Sequence, residues 1–279
     1  MYRPTSFSQL PEVVKNLLII NGLFFLATLS LQGSNTGIDL IKWFGLHQFQ
    51  SPDFMPHQLI THFFMHGNFT HLLVNMFALW MFGRILENEW GGKRFLAYYM
   101  ITGLGAATLH LGVIQYQIFE LSNGLPELIE LAKNGRYNPA ISESLKLTQL
   151  ISTPTVGASG AVFGLLLAFG MLFPNTRLYL FASFLILISF EIIFSIPLPI
   201  FNIFIVLLII SKLSPDLNYY IWYTIPIKAK YFVIAYGVLE LVLAIMINND
   251  GIAHFAHLGG MIFGFLLLKY WQKNNTQFY

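Results

Sequence analysis

Three groups of polar residues interrupt stretches that are otherwise apolar, and their types suit acyl transfer. The first is Thr61-His-Phe-Phe-Met-His-Gly-Asn-Phe-Thr-His-Leu-Leu-Val-Asn75, which holds His62, His66, His71 and Asn75. His71 and Asn75 are spaced i, i+4 and leave one helix face a turn apart, so both can donate to a single oxygen. The second, Gly157-Ala-Ser-Gly-Ala-Val-Phe-Gly164, opens an apolar helix just after Pro154 and puts Ser159 at its start. There, orphan backbone N–H groups and the positive end of the helix dipole stabilise a developing oxyanion. The third, Ala253-His-Phe-Ala-His-Leu-Gly-Gly-Met-Ile-Phe-Gly264, sets His254 and His257 nearly one turn apart, beside Gly260 and Gly264. Serine becomes a competent nucleophile when a neighbouring base takes its proton, and histidine is the base best matched to neutral pH.

Each group also has a plainer reading. His71 and Asn75 can simply tie helices together, and a histidine in the last group can be a packed or interfacial residue. Gly157, Gly160 and Gly164, like Gly260 and Gly264, can be the small residues that let membrane helices approach closely. A metal site is a weaker reading of the histidines, because no HExxH motif is present and structural zinc wants a closed ligand set. No metal and no organic cofactor is expected. Nor is this the nucleophile elbow of soluble hydrolases: Ala161 stands where G-x-S-x-G needs glycine, and no strand precedes it.

The elements that carry these groups must be membrane helices. Of 279 residues, 56% are hydrophobic and 10% charged, against about 25% charged in soluble domains. The apolar residues fall into blocks long enough for a bilayer crossing of roughly 20 residues. Spans are predicted at Val13–Leu31, Leu59–Ile85, Phe95–Gln115, Val156–Phe173, Tyr231–Ile247 and Ile252–Tyr270. A further apolar stretch divides at Pro197 and Pro199 into Leu178–Ser195 and Ile200–Ser211, which predicts an extra hairpin. With the N-terminus cytoplasmic, Arg3, Lys15, Arg84, Lys93, Arg94, Arg177, Lys212, Lys228, Lys230, Lys269 and Lys273 fall inside. Only Lys42, Lys133, Arg136 and Lys146 fall outside, and eleven against four obeys the positive-inside rule. The first span, despite its charged start, lacks a convincing cleavage site and is expected to be retained.

The segment Tyr116–Pro154 reads as a long external loop with amphipathic pieces around Pro126–Lys133 and Ala140–Leu150, lying on or near the membrane surface and without catalytic spacing. There are no cysteines, which excludes disulfides, thiolate metal sites and cysteine nucleophiles. A net charge of +2 with scattered Lys and Arg argues against a nucleic-acid partner.

The three groups, in this order and on separate spans, resemble the rhomboid intramembrane serine proteases. The resemblance rests on His66 through His71 to Asn75, on Gly157-Ala-Ser159-Gly160, and on Ala256-His257-Leu-Gly-Gly260-Met-Ile-Phe-Gly264, and it covers roughly Met55 to Tyr270. It implies an all-α, polytopic transmembrane bundle with a six-helix core, to which this chain adds the apolar hairpin. It further implies Ser159 as nucleophile and His257 as general base in a dyad without an acidic third member, with His71, Asn75 and the Ser159 N–H as oxyanion donors. Gly157 would shape the loop before the nucleophile, and Gly260 and Gly264 would let the two helices meet. His254 is the rival base, with a spacing to the glycines that fits the family pattern less well. His62 and His66 read as organisers, and Glu87 as a structural acid satisfying loop or helix-end donors. The family's Trp-Arg pair is not recognisable in the first external loop, where Pro56-His57-Gln58 stands instead.

The predicted organisation is an N-terminal helix and external loop over residues 1–54, a first part of the core over 55–177, the inserted hairpin over 178–227 and the last two helices over 228–279. The expected partners are the lipid bilayer and transmembrane protein substrates, and the expected location is a bacterial plasma membrane, with oligomeric state left open. Two rival functions remain: a noncatalytic relative that binds transmembrane helices, and a transporter, although no internal repeat is evident.

Overall fold

A computed structural model describes residues 10–32, 37–135, 142–181, 224–246 and 253–273. Its described residues form a helical bundle: α1 (Glu12–Gln32), α2 (Leu40–Phe44), α3 (Gln58–Thr61), α4 (Phe69–Ala78), α5 (Arg84–Trp90), α6 (Gly92–Ser122), α7 (Pro126–Lys133), α8 (Ser142–Ser152), α9 (Ser159–Leu172), α10 (Ala229–Met246) and α11 (His254–Lys273). A π-helical turn at Leu79–Gly83 joins α4 to α5, so Phe69–Trp90 is one continuous rod. Four described helices, α1, Phe69–Trp90, α6 and α10, are long and apolar enough to cross a bilayer. The protein is an integral membrane protein. Its lipid-facing character shows in α1, which exposes Leu23, Leu26 and Leu29, and in α10, which exposes Val238, Leu241 and Ile245.

The second predicted span starts later than expected. In place of a helix from Leu59, the chain makes α3, a 3-10 turn at His62–Phe64 and an extended passage before α4 begins at Phe69. The cause is Asn68, whose side-chain oxygen accepts the His71 N–H at 2.8 Å and so caps a new helix. His71 thus sits in the first turn of α4, one turn before Asn75.

The compact unit made of residues 1–169 and 236–279 contains the bundle core. Its centre is α6, whose small residues admit neighbours that a larger side chain would repel. A Cβ on Gly103 would collide with the Phe63 ring, and one on Gly164 of α9 would lie 2.6 Å from the Thr102 Cβ. Tyr98 of α6, fully buried, donates its hydroxyl to the Gly164 carbonyl at 3.0 Å. Lipid offers no hydrophobic drive for helix association, so such close packing and interhelical hydrogen bonds carry the assembly.

Outside the core helices, the amphipathic pieces of the long loop fold as α7 and α8. They close over the end of α6 through Ile114, Ile118, Ala132, Leu147 and Ile151. The segment between α2 and α3 is organised by Gln58, which is completely buried. Its amide oxygen accepts the Met55 N–H at 3.1 Å, and its nitrogen donates to the Asp53 carbonyl at 2.9 Å.

Residues 170–235 form a second compact unit. Leu178–Phe181, expected to begin a helix, instead belong to a strand β1 (Arg177–Phe181), which pairs antiparallel with β2 (Thr224–Lys228), Arg177 opposite Lys228 and Phe181 opposite Thr224. Pro226 lacks an N–H, which a two-stranded ladder tolerates because each strand has an open edge. The predicted hairpin, with Pro197 and Pro199, lies outside the described residues.

Glu87 ties the bundle to its first helix. Its carboxylate, buried, accepts the backbone N–H of Val13 at 2.9 Å and of Val14 at 2.7 Å, satisfying two of the donors that the start of α1 leaves without helical partners. Glu87→Ala should therefore lower stability by about 1–3 kcal/mol per donor left bare, measured as a fall in the unfolding midpoint in detergent. An unchanged midpoint would show that water or lipid replaces the carboxylate.

Candidate active site

The loop before Ser159 is held from two sides. Leu46 and Thr155 exchange backbone hydrogen bonds of 2.9 and 2.8 Å, and the Gly157 N–H donates to the His62 carbonyl at 2.9 Å. His110 of α6 contacts the Thr155 hydroxyl at 2.9 Å. Gly157 has φ +123°, a conformation that L side chains rarely adopt, and a Cβ there would lie 2.7 Å from His71 Nε2 and 3.7 Å from Ser159 Oγ. The bare Cα of Gly157 thus leaves the space into which the imidazole of His71 reaches toward the serine.

Ser159 is the first residue of α9, and Gly160, next to it, meets α11 backbone to backbone. A Cβ on Gly260 would run into the Gly160 carbonyl, and one on Gly160 would strike Ala106 of α6. Gly264 stands one turn further along, against Tyr98 and the Cα of Gly164. This crossing brings His257 Nε2 to 2.9 Å from Ser159 Oγ, although the residues are 98 positions apart.

The His257 ring is held on its face and at its other nitrogen. Phe163, one turn after Ser159 on α9, stacks on it with centroids 4.1 Å apart and planes 6° from parallel, and Tyr236 of α10 stacks in turn on Phe163 at 5.3 Å. Glu240 Oε2 lies 2.9 Å from His257 Nδ1 and 2.7 Å from His254 Nδ1. All three residues are buried. The resemblance implied a dyad with no acid, whereas the structure sets a carboxylate behind His257. His254, the rival base, makes its hydrogen bond to this same carboxylate.

Glu240, His254 and His257 are also the described residues whose grouping could hold a metal, since their ligand atoms all lie within 4.8 Å of one another. The spacing is that of N–H donors on a carboxylate. Zinc, at bond lengths of about 2.0–2.2 Å, would separate tetrahedral ligand atoms by roughly 3.3 Å, more than the 2.7 and 2.9 Å found here.

The remaining sequence-nominated residues lie along α4 and just before it. Asn75 is buried, and its amide nitrogen donates one hydrogen to the His71 carbonyl at 2.9 Å; the same nitrogen carries a second. His66, also buried, meets the His71 ring edge to face at 5.0 Å. His62 donates from Nδ1 to the Gln58 carbonyl at 2.7 Å, which leaves its Nε2 without a hydrogen in the neutral ring. A cavity of about 20 Å³, lined by His62, His110, Thr155 and Ser159 among others, adjoins the serine; it is roomy enough for a water molecule.

Three residues of this arrangement were not nominated from sequence: Phe163, Tyr236 and Glu240. Glu240 had a legible signal, an acid in the middle of the apolar helix α10 (Ala229–Met246), where an ionisable group by default marks a site. Phe163 had a weaker one, its i+4 spacing from Ser159.

A family model described as a rhomboid domain matches residues 53–214, more than half of the chain. The match includes His71, Asn75 and Ser159 and ends before Glu240 and His257. The chain is 32% identical over 118 residues to "Rhomboid protein 1, mitochondrial" of Saccharomyces cerevisiae, covering 42% of this chain and 25% of that protein. It is 33% identical over 101 residues to "Rhomboid protease AarA" of Providencia stuartii, covering 36% of this chain and 28% of that protein. With "Rhomboid-like protein 16, chloroplastic" of Arabidopsis thaliana it shares 28% identity over 167 residues, 60% of this chain and 46% of that protein. The chain thus aligns with a quarter to a half of the length of these relatives. Their names spread over mitochondrion, chloroplast and a bacterium, so they lend no support to the expected bacterial plasma membrane.

Gly157→Ala tests the packing. It should displace His71 and destabilise the fold by about 1–3 kcal/mol through overpacking, read as a lowered unfolding midpoint. Gly112→Ala, where nothing lies within 4 Å of the added methyl, should be neutral or slightly stabilising in helix α6. Equal midpoints for the two variants would contradict the role of Gly157.

Proposed function

The chain belongs to the rhomboid family, and from the 2.9 Å contact between Ser159 Oγ and His257 Nε2 we propose that it is an intramembrane serine endopeptidase acting on transmembrane proteins. The name of the Providencia stuartii relative, a rhomboid protease, supports this reading. The contact carries it, because a serine hydroxyl within hydrogen-bond reach of an imidazole nitrogen is the pair from which acyl transfer starts.

In the proposed reaction Ser159 Oγ attacks a peptide carbonyl as its proton passes to His257 Nε2. The tetrahedral oxyanion accepts hydrogen bonds from His71 Nε2, when that nitrogen carries its hydrogen, from the second amide hydrogen of Asn75 and from the Ser159 backbone N–H. Collapse breaks the C–N bond, and the proton on His257 goes to the leaving amine. A water, for which the cavity beside Ser159 offers a place, then attacks the acyl-enzyme with His257 again as base and releases the acid. Phe163 limits the tilt of the imidazole, which keeps its lone pair on the serine; orientation of this kind is worth orders of magnitude in rate.

The test is labelling of purified, detergent-solubilised protein by a fluorophosphonate, which reacts with activated serines. The parent should label, and Ser159→Ala and His257→Ala should not, with their unfolding midpoints preserved. Asn75→Ala should reduce turnover of a cleaved transmembrane substrate by about 10²–10³-fold, the usual loss for one oxyanion donor. Folded parent protein inert to every such probe would instead favour a noncatalytic binder of transmembrane helices. Transport unaffected by Ser159→Ala would favour a transporter.

A further inference from the structure

We infer that Glu240 is a positioning residue for this site, holding His257 in the tautomer and orientation in which its Nε2 can take the serine proton. The inference deepens the hydrolase reading and rests on it for its catalytic consequence, although the geometry behind it stands by itself.

An imidazole has two nitrogens and, when neutral, one hydrogen, so the partner of Nδ1 decides what Nε2 can do. Here both histidine Nδ1 atoms converge on one oxygen, Glu240 Oε2, at 2.7 and 2.9 Å. A protonated carboxyl could donate its one hydrogen to a single Nδ1, and that ring would then carry its own hydrogen on Nε2. An ionised carboxylate can only accept, so each ring that bonds to it carries its hydrogen on Nδ1. That leaves His257 Nε2 as a bare lone pair, and its 2.9 Å contact with Ser159 Oγ becomes one in which the hydroxyl donates. The opposite tautomer would present an N–H to the serine and could not accept its proton.

Burial reinforces the argument. The Glu240 side chain is 5% exposed and that of His254 4%. A carboxylate so far out of water needs donors from the protein, and His254, one turn before His257 on α11, supplies the second. His254 therefore serves the carboxylate, holding its oxygen in place behind His257. When the serine proton reaches His257, the imidazolium lies between the carboxylate and the developing oxyanion. The positive charge is balanced on both sides, and Glu240 stays ionised throughout, as the acid of a Ser-His-acid triad does.

Two readouts test this on the full chain in detergent micelles. The first is independent of activity. In protein labelled with 15N-histidine, the His257 ring, assigned by its loss in His257→Gln, should show a protonated Nδ1 and a bare Nε2 at neutral pH. In Glu240→Gln this pattern should be lost or mixed. A parent His257 that is mainly Nε2-protonated would overturn the inference, whether or not the protein hydrolyses anything. The second is the rate of fluorophosphonate labelling. Glu240→Gln should lower it by about 10²–10⁴-fold, the scale seen when a triad acid is replaced by its amide, with the unfolding midpoint within a few degrees of the parent. Glu240→Asp should recover part of the rate. Labelling of Glu240→Gln within threefold of the parent would refute the positioning role while leaving the serine hydrolase intact. Failure of the parent to label, with the Nδ1–H tautomer present, would refute the hydrolase reading and leave the geometry of Glu240 standing. If Glu240→Gln does not fold, the parent tautomer and the Glu240→Asp rate decide. Stoichiometric metal in the purified protein, with both Nδ1 atoms lacking hydrogens, would make the three residues a metal site and overturn the inference.

Discussion

The site depends on the crossing of α9 and α11, where the chain runs backbone against backbone at Gly160 and Gly260. Two membrane helices normally keep 8–10 Å between their axes because side chains intervene. Here neither helix has a side chain at the contact, and Ala106 of α6 fills the third side. The gain is one of reach. Serine is among the shortest polar side chains, and a histidine on a neighbouring helix can touch it only if the helices nearly touch. Lipid supplies no hydrophobic force to press them together, so the closeness must come from shape, and a single methyl group would remove it.

A bilayer also changes what polar residues must do. In water an exposed glutamate needs no partner, whereas inside a bundle it needs donors, and each donor's own remaining atoms must then be placed. From the carboxylate of Glu240 the chain of hydrogen bonds passes through His257 to Ser159, with His254 as a side branch. Aromatic stacking of Tyr236 on Phe163 and of Phe163 on His257 runs alongside it. The result is an imidazole whose plane and hydrogen are both specified by groups on other helices. The loop at Thr155–Gly157 does the corresponding work for the serine, anchored to Leu46, His62 and His110.

Much of this was legible in the sequence because small-residue patterns and i, i+4 polar pairs are local. His71 with Asn75, the run from Gly157 to Ser159, and Gly260 and Gly264 beside His257 each sit within a few residues of one another. The apolar blocks likewise mark the helices, since length and hydropathy are what a bilayer demands. What was not legible depends on distant partners or on local competition. Glu240 is a lone acid in an apolar run, and its two histidines stand 14 and 17 residues away in sequence. The late start of α4 was hidden because Asn68 stands within the mostly polar run His66–His71, between apolar stretches, and a cap is a single hydrogen bond that hydropathy cannot register. The pairing of Arg177–Phe181 with Thr224–Lys228 joins residues more than forty positions apart, and a helical reading of Leu178 onward had no local signal against it.

The carboxylate of Glu87 has a consequence in time as well as in space. It accepts the N–H groups of Val13 and Val14 from 74 and 73 residues further along the chain. During synthesis α1 emerges before Phe69–Trp90, yet the group that completes its leading turn is made only with that later helix. Until then, two amides at the start of α1 lack this acceptor and hold to water or headgroups. The earlier helix is thus finished by a later one, so that the start of α1 records whether the bundle behind it has assembled.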